Sequence, residues 1–295
     1  MADLSHSAKS TVIGIYLAVG SFLFFAMQDA AVKWLVAFSS VPQILFVRSL
    51  TLVVMITLWK GWPIWRELRH SPEIVPLLGR GVLLLTAWMC FYNAARHLQL
   101  AELTVIYYGA PLIVTILSIP VLGEKVPASR WLATAIGFAG VITACLPHDA
   151  SQPWYMALAG VASCLWACSM LLMRSMAQKC SSQLLMASQN ILLLVATAAM
   201  APFFWHEVPW FHIIIMVLVG VGSGAGQFMM FEAAKRAPAS VVAPMEYTSL
   251  LWAFSLGFLI WGDIPAITVF IGGGLIILSG MTMLLTERYR QPPIS

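Results

Sequence analysis

Phe91-Tyr92-Asn93-Ala94-Ala95-Arg96 returns 139 residues further on as Met230-Phe231-Glu232-Ala233-Ala234-Lys235. The same offset lays Gly123-Glu124 over Gly262-Asp263. Each pair holds the same place in its half of the chain: the first closes a long apolar run, the second marks the turn between the next two. Two landmarks at one offset make the chain two copies of one unit, and what the unit is follows from its composition.

Of 295 residues 60% are hydrophobic and only 9% are charged, against roughly a quarter charged in a soluble domain. The solvent of this chain is therefore lipid. Its 16 Lys and Arg are too few and too scattered to neutralise a phosphate backbone, which excludes nucleic acid as a partner. Cys90, Cys145, Cys164, Cys168 and Cys180 are odd in number and form neither a disulfide framework nor a C-x-x-C metal pair. About 20 apolar residues cross a bilayer core as a helix. Ten runs fit, at 11–31, 42–60, 77–96, 101–122, 128–146, 153–174, 182–203, 211–233, 239–260 and 264–286. The first follows Lys9 as a signal peptide would, yet it is long, lacks a small-x-small cleavage site and precedes nine more spans, so it reads as retained.

Cytoplasmic connections carry the excess of Lys and Arg, and here the excess alternates. Lys9, then Lys60, Arg66, Arg69 and Arg80, then Lys125 and Arg130, Arg174 and Lys179, Lys235 and Arg236, and finally Arg288 and Arg290 fall on one side. Only Lys33 and Arg96 fall on the other, and Arg48 alone stands inside a helix. An even number of spans with both termini in the cytoplasm follows. Each copy has five spans, an odd number, so the second enters upside down, with Arg96 outside and its counterpart Lys235 inside. The expected fold is an all-α membrane protein of ten transmembrane helices in two inverted five-helix repeats, 11–146 and 153–286, with cytoplasmic tails 1–10 and 287–295. Inverted repeats are a carrier architecture.

Phe46-Val47-Arg48, Leu122-Gly123-Glu124, Ala243-Pro244-Met245-Glu246-Tyr247 and Trp261-Gly262-Asp263-Ile264-Pro265 resemble the drug/metabolite transporter superfamily in its EamA-type branch. Met27-Gln28-Asp29-Ala30-Ala31-Val32-Lys33 is similar to a proteobacterial subgroup that includes S-adenosylmethionine and riboflavin carriers; metallophore and aromatic amino-acid exporters are more distant relatives. The resemblance implies a central cavity lined by spans one, three, four, six, eight and nine, with the two halves rocking to give alternating access. It implies a bacterial inner-membrane location.

Charged groups inside a span are costly and are functional candidates by default. Asp29 lies near the outer end of the first span, and Arg48 lies about 9 Å into the second at 1.5 Å per residue. The two form either an ion-pair clamp that fixes helix packing or a gate or substrate-carboxylate site. Glu246, about 10 Å from the cytoplasmic end of the ninth span, follows Pro244, which removes a backbone hydrogen bond. It is either a substrate-ammonium or proton site or a structural carboxyl. Trp88, Tyr92 and Asn93 in the third span, Tyr107 and Tyr108 in the fourth, Trp166 in the sixth, Gln227 in the eighth, and Tyr247 and Trp252 in the ninth complete the candidate substrate-binding set. Trp88 and Tyr92 are four apart and share a helix face, which suits a flat ring or an onium group. The alternative for each aromatic residue is a place in the interfacial belt. Glu232 faces the headgroups, and Glu124 and Asp263 cap turns.

Gly220, Gly222, Gly224 and Gly226 make two overlapping G-x-x-x-G pairs, a close-packing signal in lipid rather than a nucleotide loop. The six His show no metal-ligand spacing, so no metal or other cofactor is expected. The absence of a Walker-type motif excludes nucleotide hydrolysis by this chain, and no catalytic motif of an embedded enzyme is present. The expected function is a secondary transporter of a zwitterionic, cationic or aromatic metabolite, S-adenosylmethionine-like or riboflavin-like by resemblance, with proton coupling through Glu246 as one mode. Export of amino acids, metallophores or drugs is the alternative within the fold, and a membrane-embedded enzyme the alternative of another class.

Overall fold

The computed structural model of the chain describes residues 2–107, 109, 110, 113, 117, 128–144, 152–177, 179–236, 245 and 248–288. Among the described residues there is no strand, and eleven helices follow one another: α1 (Ala2–Leu35), α2 (Val41–Lys60), α3 (Pro63–Arg69), α4 (Ile74–Ala95), α5 (Leu100–Tyr107), α6 (Ala128–Ala144), α7 (Pro153–Ala177), α8 (Ser182–Phe204), α9 (Trp210–Arg236), α10 (Thr248–Trp261) and α11 (Ile267–Arg288). Six segments, Val12–Leu35, Val41–Lys60, Ile74–Ala95, Pro153–Leu172, Ser182–Phe204 and Trp210–Met230, are long and apolar enough to cross a bilayer. The protein is an all-helical, multi-pass membrane protein. Large apolar side chains such as Leu58, Val75, Val195, Leu218 and Leu259 remain exposed along these helices, as lipid contact requires.

The short α3 falls in a stretch expected to be only a connection. Pro63 stands at its start and Ile64 and Leu68, four apart, are buried while Arg66 and Arg69 stay out. The Trp65 indole Nε1 donates to Thr57 Oγ1 at 3.0 Å, so α3 is held against the end of α2.

The chain forms two compact units: the first is residues 1–30, 99–151 and 225–295, the second residues 31–98 and 152–224. In lipid no hydrophobic drive pulls helices together, so close approach and polar contacts decide the packing. In the first unit α6 lies along α11, and α5 against α10. A Cβ on Gly140 would lie 2.7 Å from the Gly272 carbonyl oxygen, so these backbones touch only because both positions lack side chains. Ser21 Oγ donates to the Gly226 carbonyl at 2.8 Å, tying α1 to α9. Gly262, at φ 68°, ends α10 in a left-handed cap, its N–H bonding to the Phe258 carbonyl at 2.9 Å. That is the turn expected at Gly262-Asp263.

In the second unit α2 packs along α8, and α4 along α7 and α8. The start of α2 is fixed twice. Ser40 Oγ accepts from the Gln43 N–H at 3.3 Å and donates to the Phe204 carbonyl at 2.6 Å. The Gln43 amide then exchanges two hydrogen bonds with the His206 backbone. Arg96, one of two cations expected outside, donates from Nη2 to the Ser39 carbonyl at 2.9 Å, holding the end of α4 to the turn after α1.

Arg80 requires a correction. It belongs to no connection: it lies in α4, buried, with Nη1 donating to Gln189 Oε1 of α8 at 3.2 Å. Among the described residues Arg48 is therefore one of two buried arginines within helices. The helix begins at Ile74, earlier than the apolar run, and a count of charges along a sequence carries no measure of depth.

Candidate functional site

Arg48 is 2% exposed, in a helix that is apolar over most of its length. Its side chain leaves α2 toward α4 and α9. Nη2 and Nε both donate to Ser223 Oγ, at 2.8 and 3.2 Å, and Nη1 approaches the Tyr92 hydroxyl at 3.4 Å. The Arg48 Cζ lies 4.0 Å from the centre of the Trp88 ring, within reach for cation–π attraction. Trp88 and Tyr92 sit one helical turn apart on α4 and are both buried, so the shared face expected from their spacing is the face that receives Arg48.

The glycine run makes this contact possible. A Cβ on Gly220 would stand 2.7 Å from Thr51 Cβ and 3.1 Å from the Arg48 carbonyl oxygen, and one on Gly224 would stand 2.8 Å from Leu52 Cδ2. With hydrogen in those places α9 closes on α2, and Ser223, one position before Gly224, comes within reach of the guanidinium. The expected packing role of the G-x-x-x-G run is seen here, and its consequence is electrostatic. No carboxylate of the second unit pairs with Arg48 among the described residues. Its charge is held by two hydroxyls and an indole face.

The other candidates disperse. Asn93 is half-buried, and its Nδ2 donates to the Met89 carbonyl of its own helix at 2.7 Å. Trp166 is half-buried on α7 in the second unit. Tyr107, Gln227 and Trp252 are half-buried residues of the first unit; the Trp252 indole Nε1 is buried with no hydrogen-bond acceptor among the described residues. Asp29 also belongs to the first unit, half-buried, with Gln28 Nε2 at 3.4 Å from its Oδ1. Tyr108, Glu246, Tyr247 and Glu124 lie outside the described residues. Glu232, expected at the headgroups, pairs with Arg236 one turn on. No group of three or more potential metal ligands occurs among the described residues.

Sequence reasoning missed Ser223 and the Arg80–Gln189 pair. The signal for Ser223 was a hydroxyl inside a glycine run; for the pair it was a polar residue in each of two apolar helices.

The EamA-like transporter family profile matches residues 12–146 and again 153–285. The pseudopaline exporter of Pseudomonas aeruginosa is 25% identical over 287 residues, covering 93% of this chain and 97% of that protein. The riboflavin transporter of Rhizobium johnstonii is 25% identical over 263 residues, 89% of this chain and 82% of its own. An S-adenosylmethionine uptake transporter of Rickettsia bellii is 23% identical over 227 residues, 75% and 76% of the two chains. A solved crystal structure superposes with a TM-score of 0.64 over 97% of this chain and 99% of its own, at 15% identity, and bears on the fold alone.

Proposed function

We propose that this chain, which belongs to the EamA-like transporter family, is a secondary carrier that moves a small organic metabolite across a bacterial inner membrane by alternating access. The observation that carries the reading is the Arg48 charge, buried in a span against Trp88, Tyr92 and Ser223. An ionised group kept at such a depth is expensive and is retained where it faces a pathway or a ligand. Relatives named as carriers of S-adenosylmethionine, riboflavin and pseudopaline support a solute that is flat, zwitterionic or both. We favour an S-adenosylmethionine-like or riboflavin-like solute, released chemically unaltered.

Ten spans in two inverted copies, with both termini cytoplasmic, is the topology we assign. It is supported by the Lys and Arg alternation and by the double match of the family profile. Glu246 is assigned as an ammonium or proton site, and Tyr107, Tyr108, Trp166, Gln227, Tyr247, Trp252 and Asn93 as candidate lining. Asp29 is assigned to a gate or structural ion pair near the outer end of the first span. The test is counterflow in proteoliposomes loaded with unlabelled S-adenosylmethionine or riboflavin. Exchange of intact label without nucleotide is expected, and a chemically altered product would overturn the carrier reading. Glu246→Gln separates the two roles of that acid. Loss of pH-gradient-driven uptake with exchange retained marks a proton site, whereas loss of binding marks an ammonium site. Retention of both would return Glu246 to a structural carboxyl.

A further inference from the structure

Arg48 has donors to spare, and their arrangement selects a ligand. A guanidinium carries five N–H groups in a planar fork. Nε and one N–H of Nη2 converge on a single oxygen, Ser223 Oγ, at 3.2 and 2.8 Å, and one N–H of Nη1 is directed to the Tyr92 hydroxyl at 3.4 Å. Two N–H groups remain, one on each Nη, with no acceptor in the second unit among its described residues. A guanidinium with N–H groups to spare on both Nη atoms can pair with both oxygens of a carboxylate. The Trp88 ring stands 4.0 Å from the Arg48 Cζ, and Ser223 fixes the Nε–Nη2 edge. Both protein acceptors are neutral, and no carboxylate among the described residues of the second unit accompanies them.

The geometry points to Arg48 as the receptor for a carboxylate of the transported solute. Ser223 acts as the residue that aims the fork, and Trp88 as the ring that stands over it. This deepens the carrier reading above and rests on it: among the solutes considered there, it selects those bearing an amino-acid or other carboxylate end over a neutral ring system.

The test uses the full chain in lipid nanodiscs and measures binding of S-adenosylmethionine and phenylalanine, each against its carboxamide, with riboflavin as the uncharged probe. The carboxamide keeps shape and loses the negative charge. The acid should bind about tenfold or more tighter than its amide, and Arg48→Gln should erase that preference while the amide still binds. Ser223→Ala keeps the charge but frees the fork. It should lower the acid-to-amide ratio about threefold, which a merely structural role would not do; it serves equally if Arg48→Gln fails to fold. Equal binding of acid and amide to the unaltered chain, binding of riboflavin alone, or a preference that survives Arg48→Gln would each overturn the carboxylate site and leave the carrier standing. A chain that neither binds nor moves any of the five probes would remove the metabolite-carrier reading, and the carboxylate site with it.

Discussion

Adding one methyl group at Gly220 should disturb the Arg48 cluster without touching any of its side chains. The new Cβ would lie 2.7 Å from Thr51 Cβ and 2.9 Å from Thr51 Cγ2, where carbon atoms settle at about 3.5 to 4.0 Å. Relief requires α9 to withdraw from α2 by about 1 Å. Ser223 is one turn along the same helix, so its 2.8 Å contact with Arg48 Nη2 would stretch to about 3.8 Å, outside hydrogen-bond range. A bond to a charged group contributes about 1.5 to 3 kcal/mol, and overpacking costs a further ~1 to 3 kcal/mol. Some of this returns as the Arg48 side chain follows Ser223. Gly220→Ala should therefore destabilise the protein by about 2 to 4 kcal/mol. Equilibrium unfolding in mixed micelles, followed by circular dichroism, measures it. Gly160→Ala is the control, because nothing lies within 4 Å of a Cβ there and Ala favours a helix by up to ~1 kcal/mol over Gly. Thr51→Gly removes the opposing Cβ and should restore part of the loss in the double variant. A Gly220→Ala protein as stable as the Gly160→Ala control would refute the argument that close approach builds the cluster.

A reporter fused after Ser295 should be active only as a cytoplasmic reporter, and a periplasmic signal would break the ten-span topology. If Asp29 acts through Arg48, the Asp29→Ala, Arg48→Ala double variant should lose little folding yield beyond either single variant; additive losses would show that the two act apart. Glu73 accepts from Lys179 Nζ at 2.8 Å, and this hydrogen bond, then the carboxylate charge, raises the Lys179 pKa. The pair's contribution is therefore full below the ordinary lysine value of about 10.4 and is lost as pH climbs through the higher folded value. Glu73→Gln should speed acylation of Lys179 at pH 9, and an unchanged rate would refute the pairing. The adjacent Cys180 thiol is held above its ordinary value, first by desolvation and then by Glu73. Its alkylation by an impermeant maleimide should accelerate in Glu73→Gln, and only when the cytoplasmic face is exposed.

What sequence could supply follows the physics of each feature. Apolar runs are a one-dimensional property, so α2, α4, α6, α7, α8, α9 and α11 begin and end within about three residues of where hydropathy placed them. The helix α3 escaped because seven residues with Arg66, Glu67 and Arg69 among them are no apolar run, although Pro63 and the buried Ile64 and Leu68 mark a short amphipathic turn. The Trp88–Tyr92 face was legible because four residues make one turn. That Ser223 meets Arg48 was not, since it depends on the distance between α2 and α9, set by Gly220 and Gly224 far along the chain. Asn93 looked equally eligible, and one N–H of its amide goes to the Met89 carbonyl. Away from water a side chain takes the nearest acceptor, four residues back on its own helix.

The packing partners α2 and α8, α4 and α7, α5 and α10, and α6 and α11 each join a helix of residues 12–146 to one of 153–285. This has a consequence for biogenesis. A ribosome adding about 5 to 20 residues per second delivers Ser223 about 9 to 35 s after Arg48, the two being 175 positions apart. Through that interval the newborn chain carries a guanidinium in a span before its Ser223 partner has been made, and the Gly140 groove on α6 waits for α11. A nascent chain in this condition needs shelter beside the translocon or an insertase until its second half arrives. A premature stop ahead of Ser223 should yield no half-assembled survivor, only a substrate for membrane proteases.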